Sequence, residues 1–231
     1  MIRLIIFDWD DVFTLGSKEG YFSCYRRVLD VLGVKLDPKE EKRRILSRWG
    51  QPCREELKEL LKENPSLLDR ACHLYRQHKE KYYVGNLKLV NGVIELLNNL
   101  KDSYILTIAT GAEPKILKAK VFPKFNIPDV FSQIVSSHDI KDPAKSKPDP
   151  LMVEMILKKQ GIKPQNAVLV GDAGNDVLMA RKAGVTPIVV LTGHLTRKEA
   201  QELGVDYIIK DVSKLESVLK TLEIENDEAL S

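Results

Sequence analysis

Short, almost wholly apolar runs recur along the chain: "IRLIIF", "YILTIAT", "QIVSS", "AVLVGD", "TPIVVLT" and "DYIIK". Their lengths suit strands, and the near-continuous apolarity of most of them suits burial on both faces of a parallel sheet. Between them lie amphipathic helical patterns, "GVIELLNNLKD", "PDPLMVEMILKKQG", "NDVLMARKAG" and "TRKEAQELG", several closed by Gly. This alternation predicts an α/β fold built on a doubly wound parallel sheet. The stretch 16–84 breaks the alternation. It holds four helical patterns, "EGYFSCYRRVLDVLG", "DPKEEKRRILSRWG", "REELKELLKEN" and "LLDRACHLYRQHKEKYYV", with no strand between them. It is expected to form a second, α-helical unit seated over the end of the sheet, leaving 1–15 and 85–231 as the α/β core. The polar tail "LEIENDEALS" is expected to fray.

Composition narrows the class of partner. Hydrophobic residues make up 43% of 231, ample for a packed core, and Lys+Arg 36 against Asp+Glu 33 leave a formal charge of +3. Neither nucleic acid nor an acidic membrane surface is expected as a partner. No stretch approaches the ~20 apolar residues a membrane span needs, and Asp8 interrupts the N-terminal apolar run too early for a signal peptide. Cys24, Cys53 and Cys72 show no metal-binding spacing and read as reduced thiols. A soluble, cytoplasmic protein is expected, either monomer or homodimer.

The ends of the apolar runs carry the chemistry, because ligands of open α/β sheets bind at the carboxyl ends of strands. The first run delivers Asp8, Asp10 and Asp11 around Trp9. Like charges this close repel, and burial makes each harder to ionise, so the cluster either caps a turn or surrounds something positive. With a strand period of two, Asp8 and Asp10 point to one side and Trp9 to the other. "YILTIATG" delivers Thr110 and Gly111, a hydroxyl and backbone N–H groups suited to phosphate oxygens. "AVLVGDAGND" delivers Asp172 and Asp176, and "KSKPDP" sets Lys147 ahead of a proline. Carboxylates beside a phosphate site are what Mg²⁺ needs, and a carboxylate can itself attack phosphorus to form an acyl phosphate.

"DWDDVFT", "IATG", "KPDP" and "GDAGND", in that order and spacing, resemble the four motifs of haloacid-dehalogenase-superfamily phosphatases, over nearly the whole chain. The insertion resembles the α-helical cap of phosphoglycolate phosphatases and β-phosphoglucomutases. The resemblance implies a Rossmann-like core with Asp8 as nucleophile and Mg²⁺ ligand. It implies Asp10 as general acid and then base, its main-chain carbonyl also on the metal. Thr110 and Gly111 would hold the phosphoryl group, and Lys147 would neutralise its charge and that of Asp8. Asp172 would be the third protein ligand to Mg²⁺, and Asp176 would orient Lys147 or a metal-bound water. Asp11 stands where such proteins usually have Gly. Asp tolerates left-handed backbone better than most residues, so a working loop is expected, with its N–H groups near the phosphate.

In such relatives the loop matching "SRWGQPCREEL" reaches down to the substrate's distal part, which makes Arg48, Trp49, Gln51 and above all Arg54 candidate substrate ligands. His73, His78, His138 and His194 read as ordinary surface or satisfied histidines. The expected function is a Mg²⁺-dependent phosphomonoester hydrolase acting on a small cytosolic phosphorylated metabolite, with phosphoglycolate as one candidate. Three alternatives stay open. A β-phosphoglucomutase-like phosphomutase shares every catalytic residue. A haloacid dehalogenase needs neither Asp10 nor Asp172. A catalytically silent binding module finds support only in Asp11.

Overall fold

The computed structural model describes residues 1–49 and 51–228. β1 (Leu4–Phe7) is buried along its whole length, with Leu4 and Ile6 in one apolar cluster and Ile5 and Phe7 in another. One strand divided between two cores requires a sheet covered on both faces. After β1 come the short β2 (Thr14–Leu15), the helices α1 (Ser17–Leu32), α2 (Pro38–Ser47), α3 (Cys53–Leu60) and α4 (Leu68–Lys79), and the short β3 (Lys88–Leu89). The chain continues with α5 (Val93–Leu100), β4 (Ile105–Thr110), α6 (Pro114–Ile116), α7 (Phe122–Phe125) and β5 (Phe131–Ser136). It then runs through α8 (Leu151–Gln160), β6 (Ala167–Gly171), α9 (Gly174–Lys182) and β7 (Thr186–Val190), and on through α10 (Arg197–Glu202), β8 (Tyr207–Ile209) and α11 (Leu215–Glu228).

The six-stranded sheet is parallel throughout, in the order β5-β4-β1-β6-β7-β8. The chain builds outward from β1 through β4 to β5, then returns to β6 on the other side of β1. Strand order reverses at β1, so the carboxyl ends of β4, β1 and β6 open onto one crevice. Side chains of α5, of the run 114–125 and of α11 pack on one face, and those of α8 and α9 on the other. All six apolar runs are strands, and every helical pattern read from the sequence contains a helix.

Three features differ from the expectation. The run 114–125 is helical, with a wider π-type turn (Leu117–Val121) between α6 and α7; Pro114 and Pro123 punctuate it and hide its pattern. β2 and β3 pair antiparallel, Thr14 with Leu89 and Leu15 with Lys88, each too short for any periodicity. The polar tail does not fray at Leu222, because α11 runs on to Glu228; residues 229–231 lie outside the described residues.

Helices α1 to α4 have a core of their own, including Tyr25, Val28, Ile45, Leu57 and Tyr75. Asp37 caps α2 by accepting from the N–H groups of Lys39 and Glu40. Arg44, 5% exposed, ties α2 to the end of α3 through Glu63. α4 runs into a π-type turn over Glu80–Val84 that carries Tyr83, and α1 lies against this turn at Gly20. A Cβ on Gly20 would sit 2.8 Å from the Tyr82 carbonyl oxygen and 2.9 Å from the Tyr83 Cα. Both are backbone atoms, so neither can step aside cheaply. Gly20→Ala is expected to destabilise the protein by about 1–3 kcal/mol, read as a lower midpoint in urea unfolding. An unchanged midpoint would mean the two segments can separate without loss.

Candidate active site

β1 delivers its carboxylates as the period of two requires. The Asp8 N–H donates to the Val170 carbonyl at 2.9 Å, continuing the ladder, and Asp8 Oδ1 accepts from the Trp9 N–H at 2.7 Å. Trp9 is fully buried against Phe13 and Phe122, while Asp8 and Asp10 line a cavity between the strand ends and the helical insertion. Asp10 Oδ1 accepts from the Tyr83 hydroxyl at 2.6 Å and Oδ2 from the Tyr21 hydroxyl at 3.1 Å. Burial pushes the Asp10 carboxyl up to about 7, the charges of Asp11 and Asp8 add to the rise, and the two tyrosines restrain it. A carboxyl that titrates near neutrality is suited to giving and taking a proton.

Asp11 takes the left-handed conformation at φ 57°. Its Oδ2 accepts from the Ser17 hydroxyl at 2.5 Å, and its carbonyl accepts from the Thr192 hydroxyl. The turn is thereby fastened to the start of α1 and to the loop after β7.

Lys147 is 4% exposed and lies between two carboxylates, with Nζ 2.9 Å from Asp8 Oδ2 and 2.7 Å from Asp176 Oδ1. Burial opposes its charge, yet Asp176 and Asp8 outweigh burial and hold the ammonium above the ordinary lysine range. Asp176 stands at the start of α9, where its Oδ2 accepts from the Ala173 N–H at 3.1 Å. Asp172, at the end of β6, accepts on Oδ2 from the His194 N–H at 2.9 Å. Burial raises the Asp172 carboxyl well above its usual range, and the charges of Asp176 and Asp8 raise it further. Burial likewise raises Asp8, against the pull of Lys147.

Asp8, Asp172 and Asp176 each bring a ligand atom within 4.8 Å of the others. With all three ionised, the carboxylates would outweigh the one ammonium by two negative charges, all carried on hard oxygen donors. A divalent cation of the Mg²⁺ type fits this donor set. Of the residues expected around the metal, Asp8 and Asp172 come together, with Asp176 in the place expected of Asp10 in that group. Gly193 makes room for them: a Cβ there would lie 1.8 Å from Asp172 Oδ2.

Thr110 and Gly111 close the crevice from β4. Thr110 Oγ1 accepts from the Ala112 N–H at 3.1 Å, which leaves its own proton for a ligand. The loop is pinned from β5, where the Ser136 hydroxyl donates to the Ala112 carbonyl at 2.7 Å and that of Ser137 to the Gly111 carbonyl at 3.2 Å.

Arg54 is not brought to this cavity. Its guanidinium pairs with Asp69 at 2.8 Å on the exposed side of the insertion, because it stands in the first turn of α3 on the face turned from the crevice. Arg48 approaches Glu59 at 4.0 Å; of that stretch's described residues, Trp49, Gln51, Cys53 and Glu56 line the cavity and neither arginine does. His194 is not an ordinary surface histidine. Its ring lies 4.9 Å from that of Trp49, its Nε2 is buried without a partner, and burial pushes it down to about 4. It follows β7, so collecting strand-end residues once more would have reached it. Tyr21, Tyr83 and Lys79 also belong to the site and were missed, because at helical spacing a tyrosine reads as core.

Two outcomes are expected. Asp10 binds its proton more tightly in the folded chain (about 7) than its ordinary value of 3.8 allows in the unfolded one. Its contribution to stability is therefore complete below about pH 4 and lost as pH rises through 7. In metal-free protein, Asp10→Asn is expected to flatten that part of the pH–stability curve, measured by urea unfolding across the range. Gly193→Ala and Asp172→Asn are each expected to weaken Mg²⁺ binding by about 10-fold or more, measured by calorimetric titration; unchanged affinity in both would remove Asp172 from the metal site.

The haloacid dehalogenase-like hydrolase family model matches residues 5–190, from β1 through β7. Pyrophosphatase PpaX of Halalkalibacterium halodurans is 23% identical over 216 residues, covering 93% of this chain and 95% of that protein. A phosphoglycolate phosphatase of Mannheimia succiniciproducens is 28% identical over 155 residues, 65% of this chain and 67% of that one. Among solved structures, β-phosphoglucomutase of Clostridium difficile shares the fold with a TM-score of 0.74 at 19% identity, covering 100% of both chains. The matched segment holds Asp8, Asp10, Thr110, Lys147, Asp172 and Asp176 in one crevice, and the chain belongs to the haloacid dehalogenase-like hydrolases.

Proposed function

We propose that this hydrolase is a Mg²⁺-dependent phosphatase that cleaves small phosphorylated metabolites through an aspartyl-phosphate on Asp8. One observation carries the reading: Asp8, 2.9 Å from the buried Lys147 ammonium, stands two residues from a carboxyl, Asp10, that titrates near 7. Relatives named as a pyrophosphatase and a phosphoglycolate phosphatase support phosphoryl chemistry. The unpaired state of Cys24, Cys53 and Cys72 fits a cytoplasmic setting.

An Asp8 carboxylate oxygen attacks phosphorus as the ester oxygen departs on the opposite side. Lys147 and the Thr110 hydroxyl take up charge on the phosphoryl oxygens, with Asp176 fixing the direction of the lysine. Asp10, protonated, gives its proton to the leaving oxygen. As a carboxylate it then accepts a proton from the water that attacks the aspartyl-phosphate, which releases phosphate and restores Asp8. Mg²⁺, when bound among Asp8, Asp172 and Asp176, supplies Lewis-acid charge at the phosphoryl oxygens. Residues 16–84 act as a cap over the core formed by 1–15 and 85–231, and they lend Tyr21 and Tyr83 to Asp10.

Asp8→Asn is expected to lower phosphate release from p-nitrophenyl phosphate by about 10³-fold or more, with the circular dichroism spectrum unchanged. Wild-type turnover in that variant would overturn the assignment. Phosphoryl transfer back to substrate, in place of phosphate release, would move the reading to a phosphomutase.

A further inference from the structure

Lys79, the last residue of α4, is 3% exposed and lines the same cavity as Asp8, Asp10 and Lys147. Its one ion-pair contact among the described residues is a loose 3.9 Å, to Glu113 Oε2. Its Nζ lies instead 5.8, 5.5 and 5.7 Å from the ring centroids of Tyr21, Tyr75 and Tyr83. Aromatic faces attract a cation without neutralising it. The ammonium is held in place by the rings and by one loose ion pair, with the buried Glu56 carboxylate on the same cavity wall, and a buried charge so loosely paired is costly. The side from which a counter-ion can reach it is the cavity.

Two of those tyrosines fix where Lys79 stands relative to the chemistry. The hydroxyls of Tyr21 and Tyr83 donate to Asp10, while their ring faces carry Lys79. Lys79 thus sits one tyrosine ring beyond the acid that serves the leaving oxygen. Lys147, by contrast, sits on Asp8, where the phosphoryl group is transferred. These are the two lysines among the described residues lining the cavity, one on Asp8 and the other on the tyrosines that reach Asp10. Arg54, the distal ligand expected from the sequence, is engaged outside by Asp69.

We propose that Lys79 binds an anionic substituent on the leaving group, a carboxylate or a second phosphate, a few bonds from the ester oxygen. This makes the enzyme selective for short phosphomonoesters with a second negative charge, and it rests on the phosphatase reading above. The geometry asks for a small leaving group, because only one tyrosine ring separates Asp10 from the ammonium.

The test compares kcat/KM for three esters of similar size: 2-phosphoglycolate, ethane-1,2-diol bisphosphate and the neutral-tailed 2-hydroxyethyl phosphate. The wild type is expected to prefer one of the two anionic esters over the neutral one by about 10–100-fold, and the leading ester identifies the anion. Lys79→Met and Lys79→Gln are expected to bring that ratio close to one, while Lys79→Arg retains most of it. A wild type that hydrolyses all three esters equally overturns the inference without any variant. So does a preference that survives Lys79→Met or Lys79→Gln. Failure to release phosphate from any of the three, with Mg²⁺ present, would overturn the phosphatase reading itself.

Discussion

The crevice is organised around one ammonium shared by two carboxylates. Lys147 reaches Asp8 from a loop and Asp176 from the first turn of α9, so three separate segments must arrive at one point. A buried ion arrangement of this kind adds little net stability, because desolvation offsets the attraction. Its consequence is positional. β1 pairs with β6 in a register that sets Phe7 against Val170, and a slip of one residue would turn Asp8 to the opposite face of the sheet. Lys147 would then be buried beside Asp176 alone, which makes the correct register the one that leaves no charge stranded.

The helical insertion is joined to this centre through hydroxyls rather than through charge. Tyr21 from α1 and Tyr83 from the turn after α4 both end on Asp10, and Gly20 lets α1 and that turn approach closely enough for both to do so. Enclosure is the main cause of the raised Asp10 carboxyl, and the tyrosines only temper it. Were the insertion to move away, Asp10 would return toward the ordinary carboxylate range and lose its proton at neutral pH. The packing of the insertion against the sheet thus sets the raised Asp10 carboxyl, and the same packing places Lys79 on the wall of the cavity.

Legibility in the sequence followed physical period and place. Asp8, Asp10, Thr110 and Asp172 are legible as candidates because a buried parallel strand announces itself by apolarity and its carboxyl end is where ligands gather. Trp9 went to the core and its two neighbours to the cavity by the period of two alone. The insertion was visible as helices, but not its contribution to the site. Tyr21 and Tyr83 look like core at helical spacing, and only Lys79, a lysine four residues beyond Tyr75 on the buried face of α4, broke the pattern. Arg54 illustrates the converse error. A cation in a promising loop reads as a ligand in the sequence, whereas the turn of α3 directs it to Asp69. The run 114–125 was lost because prolines at 114 and 123 interrupt the helical signal while heading helical turns.

Asp11 is where a local rule is broken, and the break is compensated. A non-glycine residue at φ 57° costs about 1–2 kcal/mol relative to glycine. The Ser17 and Thr192 hydrogen bonds offset that cost and tie the turn to two neighbouring segments. The side chain has a second effect. Asp11, Asp172 and His194 each place a ligand atom within 4.8 Å of the others, and burial raises the Asp11 carboxyl only to about 6. At neutral pH it is therefore mostly ionised, adding a negative charge beside Asp172 and Asp8. His194 cannot balance it, since burial keeps that imidazole neutral. The Asp11 carboxylate thus deepens the negative potential at Asp172, which would favour a divalent cation there.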